Sequence, residues 1–304
     1  MEENQQGISA LVTAYFRAYH AAYDTPKIFD DFLAPRLYTP EEHVSFSHNL
    51  AQMITLVDPD HTADYPDEQQ ALARVMQVYC GPITLSRSRY TEDLLEDALQ
   101  HGVQQYVILG AGMDTFAFRR TDVADRLQVF EVDHPTTQAM KRQRLGMLGM
   151  PFPANLHFVP VNFTTDSLAT ALSASGYDPQ QPAFFSWLGV TYYLTRDTVH
   201  ETLKTIASLA PSGSRIVFDY MDSDAFIPEK AARLIRLMQS ITSQMGEPLK
   251  TGFAPAQLSA VLRGLGFDFL ENLSPAKIEE RYFQGRSDAY HAFEQVHFAQ
   301  AAVR

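Results

Sequence analysis

The sequence predicts an α/β fold: a mostly parallel sheet covered by helices, with a helical cap in front of it. Three observations carry this. From Gln104 to about Tyr220, short apolar runs alternate with helical segments, the arrangement that builds a parallel sheet covered on both faces. Residues 8 to about 100 read differently, as helices with polar interruptions. The first strand ends in a glycine turn, with an acid about twenty residues further on.

In chain order, the cap contains helices over Ile8 to Tyr23, Glu42 to Val57 and Ala71 to Val78, the first two separated by the Pro35 and Pro40 region. Val107, Ile108 and Leu109 are a continuous apolar run that suits a central strand buried on both faces, so Tyr106 to Leu109 is the first strand. Further strands are predicted over Gln128 to Val132, His157 to Val161, Ala183 to Leu188 and Arg215 to Tyr220, with Pro211-Ser212-Gly213 turning into the fifth. A helical insertion over about Ile227 to Met245 and a helix over Gln257 to Leu265 follow. Phe267 to Leu270 and Phe293 to Ala301 close the sheet. The expected organisation is a cap over 1–100 and a core over 101–304, interrupted by the insertion at about 222–250.

The chemistry is concentrated around Gly110 and Gly112. Two glycines one residue apart allow a turn that side chains would obstruct, bringing backbone N–H groups and the start of a helix, Asp114 to Arg120, close to a ligand. Glu131 and Asp133 stand at the end of the second strand, on one face by strand alternation, where an acid accepts hydrogen bonds from a ribose diol. A glycine pair alone also serves purely structural turns; the correctly spaced acid is what favours a nucleotide-type pocket. A dinucleotide fingerprint wants a third glycine where Thr115 stands, just after Asp114, and this favours S-adenosylmethionine over NAD. An NAD(P)-dependent oxidoreductase and a cofactor-binding protein without transfer activity are the alternatives.

A chain of 304 residues with 45% hydrophobic content can bury one large core. Its net charge of −12 opposes a phosphate-tracking surface, so no nucleic-acid partner is expected. The acidic, polar first residues and the lack of a long apolar run lead to the expectation of a cytosolic protein without membrane association. The single cysteine, Cys80, reads as a buried thiol without a role. The histidines show no ligand spacing, and no metal is expected; His43 and His48, five apart, read as surface or cap residues.

Three runs carry a resemblance: Leu-Gly-Ala-Gly-Met-Asp-Thr-Phe-Ala-Phe-Arg from Leu109, Phe-Glu-Val-Asp-His-Pro from Phe130, and Trp-Leu-Gly-Val-Thr-Tyr-Tyr-Leu from Trp187. With Leu85-Ser86-Arg87-Ser88-Arg89-Tyr90 and the Asp30-Asp31 region upstream, they resemble the leucine carboxyl methyltransferase-like family of S-adenosylmethionine-dependent methyltransferases over roughly residues 25 to 225. The bacterial branch it resembles contains small-molecule and natural-product methyltransferases. The resemblance implies a Rossmann-like sheet of seven strands in the order 3-2-1-4-5-7-6, the last antiparallel. It also implies that Gly110 and Gly112 back the amino-acid end of the cofactor, that Asp133 supported by Glu131 holds the ribose, and that Arg87 faces the cofactor carboxylate, with Arg89 competing. Asn162 and Phe163 match the pair beside the adenine, and Leu188 stands where the family often has glutamate. Asp114 completes the candidate cofactor set.

Tyr192 and Tyr193 are substrate-side candidates whose ring faces favour a cationic sulfonium, although aromatics after a strand are as often core. No catalytic residue is assigned. Displacement at a sulfonium methyl needs alignment and exclusion of water, and an acceptor carboxylate is already ionised near neutral pH, so a small-molecule acid is the expected acceptor. A phenol or alcohol would need a base, for which His134, followed by Pro135, is a candidate that also reads as the start of a helix. Phe226, Leu234, Leu237, Met238 and Met245 are expected either to line the acceptor site or to form a packing stripe. Asp30-Asp31 and Glu279-Glu280 read as solvated or capping acids, the first pair with the option of closing over the cofactor.

Overall fold

The computed structural model describes residues 6–304. One seven-stranded sheet runs in the order β3-β2-β1-β4-β5-β7-β6, as the resemblance implied. Its strands are β1 Gln105–Leu109, β2 Gln128–Asp133, β3 Leu156–Pro160, β4 Ala183–Trp187, β5 Arg215–Met221, β6 Phe267–Leu273 and β7 Val296–Val303. The first five are parallel, and β7 is antiparallel to both β5 and β6. Every residue of β1 and β4 is buried, as continuous apolar runs require.

Alternation along β1 splits the core in two. Tyr106 and Ile108 join one apolar cluster, Val107 and Leu109 the other. The first cluster also takes Tyr15 and Phe16 of helix α1 (Gln6–Tyr23), so the cap and one sheet face share a single core. Because β1 lies between β2 and β4, the chain after β1 and the chain after β4 leave in opposite directions. The crevice this opens at their carboxyl ends is where open α/β sheets bind ligands.

The cap helices differ in detail from expectation. Thr39 and Glu42 form a reciprocal capping box that starts α2 at Pro40, and α2 ends at Gln52. The expected helix to Val57 therefore breaks at Met53, leaving Ile54–Val57 as a separate turn. After α3 (Glu68–Val78) comes α4, Gly81–Gln100, which lies within the stretch read as helical to about residue 100 but was given no bounds of its own. It packs on α1, α3, β4 and β5, and brings Arg87 under the sheet crevice. Helices α5 (Pro135–Met147), α6 (Leu168–Ala174), α7 (Arg196–Leu209), α8 (Arg233–Gln244) and α9 (Pro255–Gly264) complete the layers. Among the described residues, no helix is long and apolar enough to cross a membrane.

Candidate active site

A cavity of about 340 Å³ opens at the crevice, lined by the segments that follow β1, β2, β3 and β4, by α1 and α4, and by residues 246–250. Gly110 and Gly112 form its floor with φ +70° and +51°, a region where only glycine is unstrained. A Cβ on Gly110 would meet Val190 Cγ2 at 2.4 Å, and one on Gly112 would lie 3.2 Å from Ala10 Cβ of α1. The turn does not lead into a long helix, as Asp114 to Arg120 was expected to do. It leads into the single turn Phe116–Arg119, with Asp114 Oδ1 accepting the Phe116 N–H at 2.7 Å. The N–H groups of Gly110 and Ala111 are taken by the Val132 carbonyl and that of Gly112 by Asp133, so the turn meets a ligand by close backbone approach and not, as expected, through free N–H donors.

Asp133 clamps that turn. One carboxylate oxygen accepts the Gly112 N–H and the other the His134 N–H at 2.6 Å. Burial raises its carboxyl pKa and the two N–H groups oppose the rise. Each oxygen keeps a lone pair for a diol. His134 lines the cavity too, but its Nδ1 accepts from Thr136 N at 3.4 Å as the cap of α5, the helix-start role.

Glu131 does not share the site with Asp133. It is buried away from the cavity with one oxygen 2.5 Å from Lys141 Nζ of α5, and its Oε1 has no partner among the described residues. Burial pushes its carboxyl up to about 7 against the pull of Lys141. A group raised in the folded state contributes its full stability below the unfolded value of about 4.3 and loses it as the pH rises through about 7. Lys141→Met, which strips the cation, is expected to cost about 3 kcal/mol at roughly pH 8 and far less at roughly pH 5, where Glu131 takes up a proton. Urea unfolding at both pH values checks this; equal losses would mean that Glu131 stays ionised throughout.

Arg87 reaches the cavity, but its charge is already taken. Its Nη1 donates to Asp219 Oδ2 of β5 at 2.8 Å and to the Tyr192 hydroxyl at 3.0 Å. Asp219 is fully buried and also accepts the Gly189 N–H at 2.6 Å. Gly189 has φ +72°, and a Cβ there would stand 2.6 Å from the Arg87 guanidinium. Arg87 and Asp219 thus hold the wall after β4, and Arg87 acts on a cofactor carboxylate only through what that pairing leaves free. Arg89 is exposed on Asp93 and out of contention. A second cation, which the sequence reading missed, lies in the wall: Arg17 of α1 donates to Asp31 Oδ2 at 2.9 Å and to the Met113 carbonyl at 2.6 Å. Its Nη1 has no hydrogen bond among the described residues.

Asp31 is neither solvated nor a lid. It is buried outside the cavity wall, accepting from Arg17, from Thr115 Oγ1 at 2.6 Å and from Ala34 N at 3.1 Å, and so fastens the cap to the chain after the glycine turn. Its neighbour Asp30 is exposed on Lys27. Asn162 and Phe163 line the cavity. Asn162 Oδ1 is occupied by the Thr164 N–H (3.0 Å) and hydroxyl (2.7 Å), so the amide offers a donor to a heteroaromatic base. Leu188 gives an apolar wall at its position, and both Tyr192 and Tyr193 line the cavity.

The apolar side chains of the insertion do not line this cavity. Met238 is buried in the core, with Leu234, Leu237 and Phe226 packed against it, which is the packing-stripe outcome. The insertion contributes instead through Gly246, Glu247, Pro248 and Lys250. Glu247 accepts a hydrogen bond from Ser9 of α1, closing the cap against the insertion. Cys80 is half-buried, and burial pushes its thiol up to about 12, consistent with an unreactive side chain.

An acid for a diol, a glycine turn that leaves no room for a Cβ, an apolar wall with an amide and a cation from α1 together fit S-adenosylmethionine. A family model for leucine carboxyl methyltransferase matches residues 10–207. YktD of Bacillus subtilis strain 168, provisionally named an S-adenosyl-L-methionine-dependent methyltransferase, is 38% identical over 305 residues, covering 100% of each chain. A Mycolicibacterium smegmatis protein with the same provisional name is 32% identical over 215 residues, 70% of this chain and 66% of that one. A DUF574 family protein from Streptomyces avermitilis shares the fold, with a TM-score of 0.57 at 12% identity over 97% of each chain. The dinucleotide alternative falls with these matches: the chain belongs to the leucine carboxyl methyltransferase family and is an S-adenosylmethionine-dependent methyltransferase.

Proposed function

We propose that this methyltransferase acts on an oxygen of a small organic acceptor. The observation that carries this is the continuation of the cavity beyond Asp133 and the glycine turn into a part walled by Tyr193, Leu194, Glu247 and Lys250, with α1 and the 246–250 loop joined over it by Ser9 and Glu247. That enclosure suits a small molecule better than a segment of another protein. When bound, S-adenosylmethionine supplies an electrophilic methyl group on a sulfonium. The chain's own part is to hold the acceptor in line, exclude water and leave the nucleophile ionised.

Two kinds of oxygen meet these walls. A carboxylate, favoured by the sequence, needs no base and would be met by Lys250, whose Nζ has no hydrogen bond or ion pair among the described residues. A hydroxyl needs a group that takes its proton, and Glu247 is the observation that favours it. Thermal unfolding with S-adenosylmethionine, S-adenosylhomocysteine, NAD and NADP in parallel tests the cofactor half; a ligand at a hundred times its Kd is expected to add about 2.7 kcal/mol. Stabilisation by the two adenosyl compounds alone is the expected result. Transfer of a labelled methyl group to panels of acids and phenols then tests the acceptor half, and labelling of neither would overturn it.

A further inference from the structure

Among the described residues three acids line the cavity, and one of them, Glu247, is held by no backbone donor. Asp114 caps the Phe116 N–H and Asp133 clamps Gly112 and His134, so both are held by backbone donors. Glu247 is half-buried and, among the described residues, accepts only the Ser9 hydroxyl, from a residue that lines the same cavity. The cations of the wall do not neutralise it: Arg87 is paired with Asp219, Arg17 with Asp31, and Lys250 makes no ion pair with it. Burial raises the pKa of the Tyr193 phenol, with smaller contributions from Cys80 and the Glu247 charge, and burial raises that of Glu247 itself against the Ser9 hydrogen bond. A carboxylate acceptor placed beside Glu247 would be repelled by its unpaired charge, with Lys250 as the one cation of the described wall left to oppose that repulsion. A hydroxyl acceptor would find a hydrogen-bond acceptor where Ser9 now donates.

We propose that Glu247 is the general base for a phenolic or enolic hydroxyl, which makes the acceptor class a phenol or enol in place of a carboxylic acid. This rests on the methyltransferase function proposed above and specifies its substrate. The acceptor O–H breaks and its proton passes to a Glu247 oxygen. The acceptor oxygen forms the O–C bond as the donor C–S bond breaks, its electron pair staying on sulfur. The products are a methyl ether, S-adenosylhomocysteine and protonated Glu247, which returns its proton to water. Ser9 positions the carboxylate and must swing aside or share it when the acceptor binds.

The three hydroxybenzoate isomers decide the matter, because each offers both oxygens to one enzyme and the ester and ether products separate by chromatography. Methoxybenzoates are the expected products. Glu247→Gln is expected to lower kcat at least about 100-fold near neutral pH, with the residual rate climbing as the phenol ionises by itself, and Glu247→Asp to recover part of the loss. Stabilisation by S-adenosylhomocysteine should persist in both variants, which shows that they fold. Methyl esters, ether formation by Glu247→Gln at the wild-type rate, or no methyl ether from any isomer would overturn the proposal. Loss of stabilisation by S-adenosylhomocysteine in the wild type would instead overturn the function on which it rests. A readout without turnover accompanies these. A carboxyl raised in the folded state destabilises as it ionises, so the wild type should lose thermal stability relative to Glu247→Gln as the pH rises from about 4 to about 8. A constant difference would remove the uncompensated charge that the proposal needs.

Discussion

Asp133→Ala is expected to weaken S-adenosylhomocysteine by about 100-fold or more, measured by titration calorimetry. The residue stands in the cavity wall at the end of β2 with a lone pair left on each oxygen, and two charge-assisted hydrogen bonds to a diol are together worth about 3 kcal/mol, or roughly two powers of ten. The same substitution removes the acceptor for the Gly112 and His134 N–H groups, so a loss of apo stability of about 1–2 kcal/mol should accompany it. Unchanged affinity would remove Asp133 from the site. Gly112→Val approaches the pocket from the other side: a β-branched residue at φ +51°, with its Cβ 3.2 Å from Ala10, must distort the turn that Asp133 clamps. A folded Gly112→Val protein with normal affinity would count against the whole pocket.

Breaking the pair beneath the wall should cost more stability. Asp219→Asn leaves the Arg87 guanidinium buried without its counter-charge, a loss of about 3–5 kcal/mol, which for a chain of this size lowers Tm by roughly 10 °C. The asparagine keeps an oxygen for the Gly189 N–H, so the loss reports on the charge pair. Adding Arg87→Met should recover much of it, because the orphaned charge is gone, and a urea-unfolding double-mutant cycle measures the coupling. Wild-type stability in Asp219→Asn would show that Arg87 does not depend on Asp219, and would restore Arg87 as a free cation for the cofactor.

The sheet and the glycine turn were legible in the residues because both are written locally. A strand buried on both faces needs an unbroken apolar run, as in Val107 to Leu109, and a turn at positive φ needs Gly110 and Gly112 whatever the rest of the chain does. Helix α4 was legible only as part of a helical stretch, without bounds of its own. Its central stretch, Ser86 to Arg89, alternates serine with arginine, and what holds it is burial against α1 and the sheet. The strand order came from the resemblance, not from the pattern of any one segment.

Charge partners were the least legible. Glu131 and Asp133 are two residues apart on one strand, yet Lys141, ten residues on, holds the first inside the protein while the glycine turn claims the second. Arg87 is spent on Asp219, 132 positions away, and Ser9 reaches Glu247 across 238. A lone acid within Arg-Ile-Val-Phe-Asp-Tyr was the one sequence signal for Asp219; nothing comparable marked Glu247. By itself the sequence determined which segments are apolar enough to form the sheet and where the backbone must turn, since burial and backbone sterics act over a few residues. Only the tertiary structure decided which charges remain free to meet a ligand, because a buried ion is defined by the partner that packing brings within 3 Å, wherever that partner lies in the chain.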